Sequence, residues 1–244
     1  MEHSDRVCKN GYLFFYDDAL FAPGTDTFLL SSFPRLRAEH RVCDLCSGTG
    51  LLGLLLLQRQ SRLRVTGVEL LPTAARLLEK AAAVNGLTDR LSVCCADLRK
   101  VQAFFPSGCF DLVVCNPPYY SVGAGRLPAS TARQAARAEV SCTLEDICRA
   151  AAWLLRWGGS FCLVHKPERL TDLLCALRAH SMEPKRLRLV CKTAGQAPSL
   201  LLLEGRRGGK PGLTIEAPLI LQDENGSPTA ELDAIYFRRQ EDML

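Results

Sequence analysis

One stretch, RVCDLCSGTG over 41–50, limits what this chain can fold into more than any other. A short apolar run, RVCDLC (41–46), reads as a buried strand. It closes on an acid and a glycine turn and passes into the helical run 50–59. The same unit recurs. RVTGVEL (64–70) reads as a second strand, with a helix over 72–85 that opens at Pro72 and closes near Asn85-Gly86. LSVCCAD (91–97) and FDLVVCN (110–116) read as the third and fourth strands. A helix over 143–156 is expected to stop at Gly158-Gly159, before the fifth strand SFCLVH (160–165) and a helix near 168–180. Short apolar runs alternating with helical patterns predict a mostly parallel sheet with helices on both faces.

The pattern then changes. KRLRLVC (185–191) and SLLLLEG (199–205) are close enough to pair as an antiparallel hairpin, which brings the expected total to seven strands. Neither an internal repeat nor a low-complexity linker interrupts the 244 residues, so one domain over 1–244 is expected.

Twelve cysteines raise the question of disulfides or a metal. They are scattered, several lie within apolar runs, and the pair Cys43-x-x-Cys46 has no second pair at zinc-site spacing. Small buried hydrophobes in a reducing compartment account for them, with no structural metal expected. The longest aliphatic run, LLGLLLL (51–57), falls short of the roughly 20 residues of a membrane span. The N-terminus lacks the apolar block of a signal peptide. A soluble, cytoplasmic protein without membrane contact is expected. Its net charge of +4 permits a nucleic-acid partner without demanding one.

Gly48-x-Gly50-x-x-Gly53 fits a dinucleotide fingerprint, in which glycines let the backbone pass close to a ligand. On the glycines alone, a nicotinamide-dependent oxidoreductase is the competing reading. Asp44 decides between the cofactors. A dinucleotide would bring a diphosphate that a carboxylate repels, whereas S-adenosylmethionine brings an ammonium and a sulfonium cation. Opposite charges about 4 Å apart attract by roughly 4 kcal/mol at an effective dielectric near 20, before desolvation. Glu69 ends the second strand 19 positions after Gly50, where it can accept both ribose hydroxyls of either cofactor. Asp97 ends the third strand, as the acceptor of an adenine amino group or as a helix-capping acid.

The fourth strand runs into Asn116-Pro117-Pro118-Tyr119-Tyr120. Exocyclic amines and carboxamides are poor nucleophiles because their lone pairs are delocalised. Two fixed acceptors, the Asn116 side-chain carbonyl and the Pro117 backbone carbonyl, favour the pyramidal nitrogen and the positive charge developing on it. The prolines hold those acceptors in place beforehand. Tyr119 is suited to stack on a planar target, an interaction of about 1–3 kcal/mol per base.

DLCSGTG, GVEL, CCADL and CNPPYY together resemble the amino-methylating class I S-adenosylmethionine-dependent methyltransferases. More narrowly, the chain resembles the bacterial tRNA (adenine-N6)-methyltransferases that modify adenosine 37 of a valine tRNA. GTD (24–26), ARAE (136–139), HKPERL (165–170) and LLLLEGRRGGKPGL extend that likeness over nearly the whole chain. The resemblance implies a Rossmann-like sheet of order 3-2-1-4-5-7-6 and an N-terminal segment, 1–38, closing over the cofactor on a core of 39–244. It implies cofactor contacts from Gly24, Thr25, Asp26, Asp44, Cys46, Ser47, Gly48, Gly50, Glu69, Leu70, Asp97, Leu98 and Asn116. Catalysis would rest on Asn116, Pro117, Pro118 and Tyr119. Cys46 departs from the family pattern, which has glycine there. The same Asn-Pro-Pro-Tyr chemistry also serves protein glutamine and adenine in ribosomal RNA or DNA, so these remain alternative acceptors.

A tRNA partner needs contacts beyond the target base. Tyr119, Tyr120, Arg126, Arg133, Arg137 and Lys166 are the expected substrate residues. Lys185, Arg186, Arg188, Arg206, Arg207 and Lys210 are either a phosphate-binding rim or solvated charges. His165 is read either as a core-edge histidine or as a catalytic one. A monomer or weak homodimer is expected.

Overall fold

The computed structural model describes residues 1–18, 20, 24–117 and 142–238. Each of the seven runs read as strands becomes one. In chain order the elements are β1 (Glu2–Arg6), β2 (Leu13–Asp17), α1 (Thr25–Ser32), β3 (Arg41–Leu45), α2 (Leu51–Arg59), β4 (Arg64–Glu69), α3 (Pro72–Val84), β5 (Leu91–Cys95) and β6 (Phe110–Cys115). There follow α4 (Leu144–Leu154), β7 (Leu155–His165), α5 (Leu170–Ala179), β8 (Met182–Cys191), β9 (Leu200–Arg207), β10 (Thr214–Ile215), β11 (Leu219–Ile220) and α6 (Ala230–Ile235). Short 3-10 turns cover Leu98–Ala103 and Pro167–Arg169.

The main sheet runs β5-β4-β3-β6-β7-β9-β8 and continues into β10, with β11 also on β8. From β5 to β7 the neighbours are parallel, and β9 is antiparallel to both β7 and β8. The first seven strands therefore follow the expected order, 3-2-1-4-5-7-6. Among the described residues the sheet has nine strands rather than seven, because the two-residue β10 and β11 add beside β8.

Side chains alternate between two apolar layers. Val42, Val65, Leu112 and Val114 pack with α1, α2 and α3, whereas Leu45, Val68, Val113 and Phe161 pack with α4 and α5. α2 reads LLGLLLLQR and buries every residue from Leu51 to Leu57, so an all-round apolar helix is held inside the fold. α3 begins with Pro72 at its first turn and is followed by Gly86 at φ +64°. α4 opens on a capping box between Thr143 and Asp146.

Two local expectations are corrected. The helix expected over 143–156 ends at Leu154, and β7 begins at once, with Leu155 opposite Phe110. Its register shifts before Ser160, so Gly158-Gly159 lies in a strand irregularity and is not a helix stop. Ahead of α1, β1 and β2 form a separate antiparallel hairpin that the sequence pattern does not announce. It is tied to α3 by Asn85, which accepts from the Leu13 N–H at 2.8 Å and donates to the Leu13 carbonyl at 2.7 Å. Among the described residues, no helix is long and apolar enough to cross a membrane.

Candidate active site

Parallel pairing brings the carboxyl ends of β5, β4, β3 and β6 side by side, where ligands of open α/β sheets bind. Asp44 pairs across β3 with Gly67 on one side and Val114 on the other, and Leu45 faces Cys115. The next residues along, Cys46 and Asn116, therefore leave adjacent strand ends.

Asp44 is buried, and the Gly53 N–H donates to its carboxyl from the first turn of α2. Its Oδ2 and the nearby Ser47 hydroxyl are buried without a hydrogen-bond partner among the described residues. Burial, and secondarily the Glu69 carboxylate, push the Asp44 carboxyl well above the usual range. Glu69 is raised too, again by burial, although backbone N–H groups oppose the shift. A buried acid with an orphan oxygen beside a second acid calls for a cation. The ammonium of S-adenosylmethionine fits that need, and a diphosphate does not.

The turn itself is shaped for close approach. Gly50 has φ +88°, and a Cβ there would lie 2.6 Å from Leu78 Cγ, so only glycine fits. Glu69 holds the loop: its Oε2 accepts the Gly48 N–H and its Oε1 the Leu71 N–H, both at 2.8 Å. A carboxylate has about four lone-pair sites, so capacity for ribose hydroxyls remains. Cys46 adopts φ +59°, the left-handed conformation that favours glycine, which gives a reason for the glycine of related loops. Its thiol contacts Cys115 and Cys142.

Asp97 caps the turn at Leu98, accepting the Arg99 N–H at 2.9 Å, and is also gripped by the Arg99 guanidinium at 2.6–3.0 Å. That grip, led by the side-chain hydrogen bonds, holds its carboxyl below the ordinary value. Leu98 is buried, while Leu70 is exposed beside Glu69. Gly24 is the N-cap of α1, with Thr25 and Asp26 in the first turn. α1 reaches the end of β6 through Thr27, whose Oγ1 accepts from Asn116 Nδ2 at 3.0 Å. Thr27 was missed in the sequence, where nothing but its position after Gly-Thr-Asp marks it. Pro117 is buried behind Asn116. Pro118, Tyr119, Tyr120, Arg126, Arg133 and Arg137 lie outside the described residues.

His165 ends β7 on this edge, and Lys166 follows as the cap of the next turn. His165 is buried, and its Nδ1 accepts the Lys166 N–H at 2.8 Å. Burial, first, and then Arg169 lower its pKa to about 4, so the ring is neutral near pH 7. Lys166 is exposed.

The other basic residues singled out on the hairpin lie away from this edge, and several are engaged within the protein. The pairing of Ser160 with Arg206, and of Glu183 with Arg206, puts that end of the hairpin at the start of β7, across the sheet from the site. Arg186 is committed to Glu204 at 2.5 Å, to Glu216 at 3.2 Å and to the Phe33 carbonyl at 2.6 Å. Arg188 makes a bidentate pair with Glu231, Lys185 donates to the Lys210 carbonyl, and Arg207 to the Leu155 carbonyl.

Residues 20–177 match the family model of the methyltransferase small domain. The tRNA1(Val) (adenine(37)-N6)-methyltransferase of Dickeya chrysanthemi is 31% identical over 96% of this chain and 95% of its own length. Among solved structures, a predicted O-methyltransferase of Agrobacterium tumefaciens matches with a TM-score of 0.72 at 23% identity, over 88% of this chain and 97% of that one. The 16S rRNA N2 G1207 methyltransferase of T. thermophilus, in complex with AdoMet and guanosine, matches with a TM-score of 0.60 at 23% identity, over 85% of this chain and 50% of that one. Both structures share the fold.

Proposed function

Because the chain belongs to the methyltransferase small domain family, we propose that it transfers a methyl group from S-adenosylmethionine to the exocyclic N6 of adenosine 37 in a valine tRNA. The observation that carries this reading is the buried Asp44 carboxyl, whose Oδ2 has no hydrogen-bond partner among the described residues, one strand away from Asn116-Pro117. The curated relative, alike over nearly the full length, supports the acceptor.

Asp44 takes the cofactor's ammonium, and Glu69 accepts its ribose hydroxyls while fixing the Gly48 turn. Gly48 and Gly50 keep the backbone low, and Asp97 and Leu98 border the adenine. Gly24, Thr25 and Asp26, at the start of α1, cover the cofactor from the N-terminal segment. Bound there, S-adenosylmethionine supplies a methyl carbon already made electrophilic by its sulfonium. Asn116 Oδ1 and the Pro117 carbonyl accept the two N–H hydrogens of the target amine, directing its lone pair and stabilising the charge that develops on nitrogen. In-line positioning carries the rest, so no side-chain base is required. Lys166, exposed at the end of β7, contacts the RNA. An acceptor in tRNA implies a cytoplasmic enzyme, one that works without a structural metal as a monomer or weak homodimer.

The test is transfer of labelled methyl to deproteinised total tRNA, followed by nucleoside analysis. Label in N6-methyladenosine, lost with Asn116→Ala, supports the reading. Label only on added protein overturns the acceptor.

A further inference from the structure

Three arginines stand in one row across the amino ends of the sheet, away from the candidate site at the carboxyl ends. Arg41 of β3 is the register partner of Arg64 of β4. Leu91 of β5 is the partner of Val65, so Arg90, one residue ahead of β5, continues the row beside Arg64. Like charges directly opposite one another on neighbouring strands are destabilising. Little in the fold offsets that repulsion. Arg90 lies 3.5 Å from Asp89 and donates to the Ser61 carbonyl at 2.7 Å, while Arg41 lies over the Phe110 ring at 5.7 Å. Arg64, in the middle, has neither an ion pair nor a side-chain hydrogen bond among the described residues.

The three side chains line one cleft of about 450 Å³, together with Asp89, Thr66 and Ser92. Thr66 and Ser92 are register partners two residues further along β4 and β5, on the same face as Arg64. Their hydroxyls lie 3.1 Å apart. Two hydroxyls that share one hydrogen bond leave one O–H to donate elsewhere. Ser92 is exposed and Thr66 half-buried, so these donors are open to a ligand. Among the described residues, the crossover from β5 to β6 carries only the short turn Leu98–Ala103, where the crossover from β6 to β7 carries the full helix α4.

We infer that this cleft is a phosphate-binding site. Three guanidiniums face one carboxylate there, and guanidinium forks pair bidentately with phosphate oxygens. Bound phosphate oxygens neutralise the row and take the remaining hydroxyl hydrogen. The rise of β4 sets Arg64 about 17 Å from Glu69, so the cleft is separate from the cofactor turn. The same chemistry recognises backbone phosphates of an RNA and a free diphosphate.

The experiment titrates wild type, Arg64→Gln and Arg41→Gln with sodium diphosphate and, separately, with deproteinised total tRNA across a range of salt. Arg76→Gln, at an exposed arginine of α3, controls for the loss of one charge. With RNA as the source, each cleft variant should bind tRNA about tenfold more weakly, with a salt slope smaller by about one. With a free diphosphate as the source, each cleft variant should bind diphosphate about tenfold more weakly and tRNA as wild type does. Arg76→Gln should match wild type in both titrations. Unchanged affinity for both probes in both cleft variants, or an equal loss in Arg76→Gln, would overturn the inference. So would diphosphate binding that saturating S-adenosylmethionine abolishes, since the anion would then lie in the cofactor turn. Neither titration reads methyl transfer, so the failure of the cleft and the failure of the proposed function are distinct results.

Discussion

The Gly48 N–H donates to Glu69 Oε2 at 2.8 Å, so the acid that ends β4 also holds the glycine turn that follows β3. The proposed ribose acceptor and the geometry of the loop are therefore coupled through one carboxylate. Glu69→Ala should leave the Gly48 N–H without its partner and remove the ribose acceptor together. Losing hydrogen bonds to a charged group costs about 1.5–3 kcal/mol, so affinity for S-adenosylmethionine should fall at least about tenfold. Calorimetry checks the affinity, and urea denaturation checks a parallel loss of stability. Wild-type affinity in the variant would remove Glu69 from the site.

Asp44 should trade stability for binding. Its carboxyl is raised above the ordinary 3.8 by burial and by Glu69, so the folded state binds its proton more readily than the unfolded state. The slope of stability with pH is then negative above 3.8: this group's contribution is most favourable in acid and is lost as pH rises through the raised value. Asp44→Asn should make the cofactor-free protein more stable at neutral pH and flatten that decline. It should also abolish the thermal shift given by S-adenosylmethionine. Thermal melts across pH, with and without cofactor, check both effects.

The legible parts of the site are those that a strand and its following turn carry within a few residues. Asp44, Glu69 and Asn116 each stand at the end of an apolar run, and parallel pairing aligns those ends. What depends on distant pairing was not legible. The hydrogen bond between Thr27 and Asn116 spans 89 positions. Arg186 looked available for phosphate because its partners, Glu204 and Glu216, meet it only through the hairpin register and the returning tail. The β1–β2 hairpin was missed because EHSDR is polar and almost wholly exposed, so it carries no strand alternation.

Cys46, at φ +59°, tests the geometry of the loop. A left-handed non-glycine residue costs about 1–2 kcal/mol, and glycine's extra freedom in the unfolded chain offsets about 0.5–1 of that. Cys46→Gly should therefore stay within about 1 kcal/mol of wild type. Cys46→Val should lose more than about 2 kcal/mol, since a β-branched residue is worse still at positive φ. Denaturant midpoints for the two variants check the contrast.

His165 should shape stability rather than rate near neutrality. Its folded pKa of about 4 lies below the ordinary 6.5, so the unfolded state binds the proton first as pH falls. The stabilisation is fully present above about 6.5 and is lost progressively down to about 4, amounting to about 3 kcal/mol at most. Urea midpoints from pH 8 to pH 4 should fall more steeply for wild type than for His165→Gln. The pH profile of methyl transfer should show no step near 6.5 that His165→Gln removes.

The acceptor is tested most directly with two unmodified valine tRNA transcripts, one natural and one carrying guanosine in place of adenosine 37. Each is incubated with the protein and labelled S-adenosylmethionine. N6-methyladenosine in the natural transcript and none in the altered one is the predicted result. Equal labelling of the two transcripts, or of neither, would contradict methylation at adenosine 37.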